Sequence, residues 1–145
     1  MAQRVLVAFD ESTQAHAALR RAFALFPEGD VVALHVNDPG EWSFGDETYG
    51  YHSTEDFERA TESAEELLDE ARAIARDHGR TVQAVTETGK VADAIVAYAE
   101  RHDVDHVVIG SHGRAGLARF LLGSVAETVA RRSPVSVTIV REESE

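Results

Sequence analysis

The chain has 145 residues, a length that suits one domain, residues 1–145, with a buried core of its own. Fourteen basic residues stand against 26 acidic ones, and the net charge of −12 disfavours binding to nucleic acid or to anionic lipid. The absence of cysteine excludes disulfides, thiolate catalysis and cysteine zinc sites.

The apolar runs of the sequence are short. The first one follows Arg4 and ends at Asp10, too early for the apolar core of a signal peptide, and none approaches the length of a membrane span. We therefore expect a cytoplasmic protein. Lys90 is the only lysine, and together with the many carboxylates this skew suggests a halophilic protein adapted to high salt. An ordinary acidic protein of a mesophile is the alternative.

The first part of the chain predicts a strand, a helix and a second strand. Residues 4–9, which are apolar from Val5 onward, predict a buried strand ending at Asp10. Ser12 is the expected N-cap of a helix that Pro27 terminates. Residues 31–36 predict the second buried strand, so a βαβ unit opens the fold.

A long connection and a long helix come next. Residues 37–53 are rich in glycine and aromatic side chains, and we expect them either to cover a ligand or partner surface or to form a half-ordered flap. Ser53 or Thr54 caps the helix that follows, and His78-Gly79 closes it. The exposed face of this helix carries glutamates at i,i+4 spacing, whose like charges repel: Glu58, Glu62, Glu66 and Glu70.

The second half of the chain repeats the alternation of strands and helices. Residues 81–87 predict a polar edge strand, residues 106–110 a buried strand and Val135–Val140 an alternating edge strand. We therefore predict an α/β fold with one doubly wound, five-stranded parallel sheet in the order 3-2-1-4-5 and helices on both faces. The last strand leaves an unprotected edge, which predicts a homodimer formed through it.

The segment after the fourth strand has the most informative spacing in the chain. Gly110, Gly113, Gly123 and Ser124 fit the pattern G-x2-G-x9-G-[ST] between a buried strand and a helix. The glycines at 110 and 113 permit positive φ and allow close approach of a ligand, since they have no Cβ. The unpaired N–H groups of the following helix then form a phosphate site. A glycine-rich turn that only joins strand to helix is the alternative.

The same segment, together with Val7 to Ser12 and Leu34-His35-Val36, resembles the ATP-binding branch of the universal stress protein family along the whole chain. The resemblance implies a nucleotide-dependent regulatory or stress-response protein that binds ATP and signals to an unknown protein partner. It assigns the adenine to Asp10 and to the backbone of Val36. It assigns the phosphates to the loop and the helix start: Gly110, Ser111, His112, Gly113, Arg114, Gly123, Ser124 and Val125.

The sequence allows more than one role for some of these residues. Asp10 has a second possible role as a cap of the first helix, and His112 either donates to a phosphate or is a solvated or capping residue. Val91 stands near a position where many relatives carry proline, which bears on helix capping. His102 and His106 straddle a helix end and a strand, so we expect no zinc site there.

Catalysis is not predicted. The segment shows no Ser-His-Asp signature, paired carboxylates or arginine finger, so we expect any ATP hydrolysis to be slow. Arg114 and Arg119 are the only permanent cations of the loop, and we expect Mg²⁺ to arrive with the triphosphate. The alternatives are a nucleotide-free dimeric scaffold and a slow ATPase or phosphotransferase.

Overall fold

The computed structural model describes residues 2–39, 54–112 and 122–141, and in these residues five strands form one parallel sheet. The strands are β1 (Arg4–Ala8), β2 (Asp30–Asn37), β3 (Gln83–Thr88), β4 (His106–Gly110) and β5 (Ser136–Val140). Their order is β3-β2-β1-β4-β5, and all four neighbouring pairs are parallel. The predicted fold class and strand order are confirmed.

Helices cover both faces of this sheet. They are α1 (Thr13–Leu25), α2 (Thr54–Asp77), α3 (Val91–Arg101) and α4 (Ser124–Arg132). The core divides accordingly into two clusters, one between the sheet and the α1–α2 pair and one between the sheet and the α3–α4 pair. Val5 and Val7 of β1 point into the first cluster and Leu6 into the second, as alternation along a strand requires.

The helix ends are built by local hydrogen bonds. Ser12 caps α1, because its Oγ accepts the N–H of Ala15 at 3.1 Å, as predicted. Gly79 ends α2 with φ of +68°, a conformation that suits glycine. The Arg80 N–H then donates to the Ala75 carbonyl at 2.8 Å, which completes a Schellman motif. By contrast, α3 begins at Val91 without a side-chain cap.

The predictions depart from the structure at a few edges. The edge strands begin one or two residues later than predicted, at Gln83 and Ser136. Phe57 of α2 is 57% exposed, although large apolar side chains usually favour burial. Most of the predicted connection, residues 40–53, lies outside the described residues, and so does the predicted cap Ser53.

Candidate functional site

The carboxyl ends of β1 and β4 meet at the point where the winding of the sheet reverses. These strands are neighbours, and the chain leaves β1 toward α1 on one face and reaches α4 on the other face after β4. In open parallel sheets this arrangement leaves a crevice that commonly holds a ligand. Asp10 follows β1 and Ser111 follows β4 at this edge.

Asp10 organises the turn between β1 and α1. Its Oδ1 accepts the N–H of Ser12 at 2.8 Å, and Ser12 in turn caps α1. Asp10 is therefore not the N-cap of α1, and that alternative is wrong. A carboxylate has two oxygens and about four acceptor sites, so the bond to Ser12 leaves capacity for a ligand.

Val36 lies where the pairing between β1 and β2 ends. The register stops at Ala8 with Leu34, and the Phe9 N–H makes a last bond to the Leu34 carbonyl at 2.8 Å. Backbone groups of alternate residues face the same neighbour in a parallel sheet, so the N–H and C=O of Val36 face the side of β1, as those of Leu34 do. Both groups of Val36 thus point toward the gap that opens beyond Phe9.

One contact in this gap involves a residue that sequence reasoning did not select. His35 is buried, and its Nδ1 lies 3.0 Å from the carbonyl oxygen of Phe9. The signal for it was a single titratable side chain inside an otherwise apolar strand, Val31 to Val36.

Gly110 ends β4 directly against the first turn of α1. A Cβ at this position would lie 2.7 Å from the Cβ and 2.9 Å from the carbonyl carbon of Gln14. The backbone of Gly110 is not in the positive-φ region, so the conformational freedom of glycine is not used here. Packing of α1 on β4 explains the absence of a side chain at this position. Gly113 lies outside the described residues.

Gly123 brings the start of α4 against the end of β4. Its N–H donates to the Ser111 carbonyl at 2.7 Å, and a Cβ would lie 2.9 Å from the same oxygen. Gly123 is also the N-cap of α4 and supplies no side-chain cap. The first-turn N–H groups of Ser124 and Val125 have no acceptor within the helix, because an α-helix leaves its first donors unpaired. They carry the positive end of the helix dipole.

His112 is a buried polar side chain next to this helix start. It is 7% exposed, and its Cα lies 3.3 Å from the position of a Cβ on Gly123. Its Nδ1 lies 3.3 Å from Ser111 Oγ, whereas its buried Nε2 has no hydrogen-bond partner within residues 2–39, 54–112 and 122–141. The solvated alternative for His112 is therefore wrong. A buried polar atom without a partner is costly and commonly indicates a missing ligand or water.

Four side chains named in the sequence analysis remain, two arginines of the predicted loop and two histidines considered as metal ligands. Arg114 and Arg119 lie outside the described residues. His102 is the C-cap of α3, and His106 of β4 contacts Thr138 Oγ1 through Nε2 at 2.7 Å. Within the described ranges, no three histidine or carboxylate side chains are grouped in a way that would hold a metal ion. The helices described there include none that is long and apolar enough to cross a bilayer.

The chain belongs to the universal stress protein family, whose profile matches residues 1–141. Universal stress protein MJ0577 of Methanocaldococcus jannaschii is 31% identical over 158 residues, which cover 99% of this chain and 98% of MJ0577. The solved structure of MJ0577 superposes with a TM-score of 0.82 over 100% of this chain and 99% of that one. The predicted membership of the universal stress protein family is confirmed, and its ATP-binding branch stays a prediction.

Two further relatives extend the comparison. A putative universal stress protein of Staphylococcus aureus is 28% identical and aligns with 97% of this chain and 85% of its own length. A universal stress protein whose structure was solved in complex with cAMP has a TM-score of 0.73 and 26% identity, with 97% of this chain and 98% of that chain covered.

Proposed function

We propose that this protein binds ATP with Mg²⁺ in the crevice beyond β1 and β4 and acts as a nucleotide-dependent regulatory protein of the stress response. The observation that carries the proposal is the start of α4, where a helix without a side-chain cap adjoins a buried histidine nitrogen that lacks a described partner. Both features provide hydrogen-bonding groups for an anion. The same proposal includes a cytoplasmic location, a homodimeric state and an unknown protein partner.

The phosphates interact with the α4 side of the crevice. Ser124 is exposed and stands in the first turn, so its hydroxyl and N–H are accessible to a phosphate oxygen. Val125 contributes its N–H, and Gly123 sets the distance between α4 and Ser111. The same side of the crevice is formed by the end of β4 and the residues after it, Gly110, Ser111 and His112. The proposed phosphate-binding loop is completed by Gly113 and Arg114. Mg²⁺ enters with the nucleotide, since Mg²⁺ commonly binds through substrate phosphates and water.

The adenine interacts with the opposite side, near Asp10 and Val36. The amino group of adenine donates hydrogen bonds and its ring nitrogens accept them. A carboxylate oxygen of Asp10 accepts from such an amino group, and the N–H and C=O of Val36 together match one donor and one acceptor of the base. The relative solved with cAMP supports an adenine nucleotide as the ligand class.

The proposed output is binding and not turnover. Among the described residues of the crevice, Asp10 accepts the Ser12 N–H, and Ser111 Oγ lies 3.3 Å from His112 Nδ1. No described group orients this histidine from its other side, because its Nε2 has no partner there, so the contact lacks the third member of a catalytic triad. Electrostatic positioning alone is expected to give slow hydrolysis at most, so a phosphotransferase or a fast ATPase is the weaker alternative.

The experiment is titration calorimetry with Mg·ATP on the wild type and on Ser124→Ala. Loss of one phosphate hydrogen bond is expected to weaken binding by about 1 to 3 kcal/mol. Ser136→Ala is the matched control, because Ser136 is an exposed serine at the opposite end of the sheet. Its affinity should equal that of the wild type.

Two results would reject the proposal. One is no heat of binding for the wild type at millimolar Mg·ATP, and the other is equal affinity for Ser124→Ala and Ser136→Ala. In the first case the nucleotide-free dimeric scaffold becomes the favoured function. Turnover faster than about 1 s⁻¹ would instead favour the enzyme alternative.

A further inference from the structure

The backbone pairing between β1 and β2 stops one bond early. An N–H group of β2 that the next step of the ladder would use is therefore left without its acceptor on β1. Phe9 already donates its N–H to Leu34, and its carbonyl faces β2 as well. Continuation of the parallel ladder by one step would bring the Val36 N–H to the Phe9 carbonyl. Within the described parts of the chain that bond is absent, and the register ends at Ala8 with Leu34.

The side chain of His35 contacts the Phe9 carbonyl instead. The contact is 3.0 Å long, and His35 is only 6% exposed. A carbonyl oxygen accepts and cannot donate, so Nδ1 carries the hydrogen. His35 lies between Leu34 and Val36 along β2, and its own backbone groups face β3, with which it pairs at Thr86. Its imidazole therefore crosses to β1 on the α1–α2 face of the sheet.

We propose that His35 is a positioning residue for the nucleobase: it holds the Phe9 carbonyl so that the N–H of Val36 stays available to a ligand. This inference rests on the proposed function, because it concerns the adenine side of the same crevice. The physical reason is competition. A buried carbonyl needs a donor, and the nearest backbone donor in the ladder is the Val36 N–H. A donor supplied by His35 removes that demand.

A positioning role of His35 predicts a different result from that of a side chain that only fills the core. A core-filling side chain would support the base side and the phosphate side alike. A positioning role affects the base side alone, because the start of α4 hydrogen-bonds to Ser111 and, among the described residues, makes no backbone hydrogen bond to β2. The two parts of the nucleotide should therefore respond differently to a change at His35.

Amide hydrogen exchange followed by NMR tests this inference without any ligand. In the wild type, the Val36 amide should exchange at least about tenfold faster than that of Leu34, which lies inside the ladder. In His35→Leu, which removes the donor but stays apolar, Val36 exchange should slow toward that of Leu34. His35→Asn is the matched control, since an amide donor near the position of Nδ1 can keep the Phe9 bond, and Val36 exchange should stay fast.

Binding measurements complete the test, with Mg·ATP and Mg·tripolyphosphate as probes. His35→Leu should weaken Mg·ATP about tenfold, the effect of one lost hydrogen bond, and leave Mg·tripolyphosphate within about twofold. His35→Asn should bind both probes as the wild type does.

The outcomes distinguish the two proposals. A Val36 amide as protected as Leu34 in the free wild type would overturn the role of His35, and this measurement does not depend on the stability of any variant. Equal loss of affinity for both probes in His35→Leu would also overturn it, because a general packing defect would then explain the effect. If the wild type binds neither probe, the nucleotide site fails, while the exchange comparison still decides what His35 does to the Val36 amide.

Discussion

Arg80 stabilises the turn between α1 and β2, although it lies elsewhere in the sequence. It follows the end of α2, and its guanidinium donates to three carbonyl oxygens, of Phe23 at 3.3 Å, Phe26 at 3.1 Å and Gly29 at 2.8 Å. Its Cζ also lies 5.0 Å from the centroid of the Phe23 ring. The carbonyls at the end of a helix lack partners within the helix and carry negative partial charge. One cation thus satisfies several acceptors of α1 and of its turn.

We expect Arg80→Met to lower the free energy of unfolding by about 1.5 to 3 kcal/mol, because partly buried carbonyls lose a charged donor while the aliphatic part of the side chain is kept. Urea denaturation measures the change. Arg72→Met is the control: Arg72 makes an exposed pair with Asp69 at 2.8 Å, and such pairs contribute about 0.3 to 0.5 kcal/mol. Equal losses in the two variants would contradict the role assigned to Arg80.

Residue-level predictions succeeded where the cause lies within a few positions along the chain. Ser12 is a cap because a hydroxyl three residues before a free N–H can reach it, and this is visible in the sequence. The contact that requires glycine at position 110 could not be predicted, because it involves Gln14, which only the packing of α1 on β4 brings near. The contact between His35 and Phe9 is likewise set by the register of two strands.

At the scale of elements, β5 is an edge strand, and one row of its backbone groups has no strand partner among the described residues. The Ser111 N–H donates to the Val140 carbonyl, so residues 136, 138 and 140 face β4. Val137 and Ile139 then direct their N–H and C=O groups away from the sheet. This row is what a second copy would pair with in the predicted homodimer.

Val137→Pro should convert a dimer to a monomer, because proline removes one outward N–H without taking a bond from the β4–β5 ladder. Light scattering measures the mass. Thr86→Pro is the matched control: the Gly89 N–H donates to the Asn37 carbonyl, so Thr86 also faces outward, but on β3 at the other edge. A folded Val137→Pro variant with unchanged mass, or an equal effect of Thr86→Pro, would argue against β5 as the interface.

The order of the elements followed from the sequence because hydrophobicity reports burial. Continuous apolar runs marked β1, β2 and β4 as interior strands, and polar alternation marked β3 and β5 as edges. With right-handed crossovers, few strand orders remain. The strand limits were less well predicted, since the polar residues at the start of β3 carry little signal for where pairing begins.

On the scale of the whole molecule, negative charge is concentrated on one exposed helix face. Glu58, Glu62 and Glu66 of α2 are all exposed, and the next member of the ladder, Glu70, lies 2.9 Å from His16 Nε2 of α1. The chain as a whole carries a net charge of −12. Folding brings these charges together, so repulsion lowers the stability of the compact state when little salt is present.

Stability should therefore rise with salt. Between about 0.05 M and 2 M KCl the Debye length shrinks from more than 10 Å to less than 3 Å, and repulsion within the ladder is screened. We expect the melting temperature to increase by several degrees, a shift that calorimetry or circular dichroism resolves. Equal melting temperatures at both salt concentrations would contradict the predicted adaptation to high salt.

The matched variant replaces Glu58, Glu62 and Glu66 by glutamine, which changes the net charge from −12 to −9. Glutamine has a helix propensity close to that of glutamate, and these side chains are exposed, so the core is untouched. In low salt the variant should melt above the wild type, because about 0.2 to 0.5 kcal/mol of repulsion is removed for each like-charge pair. In high salt the two curves should converge, since screening has already removed that repulsion from the wild type. A constant difference at all salt concentrations would mean that the ladder acts through something other than charge.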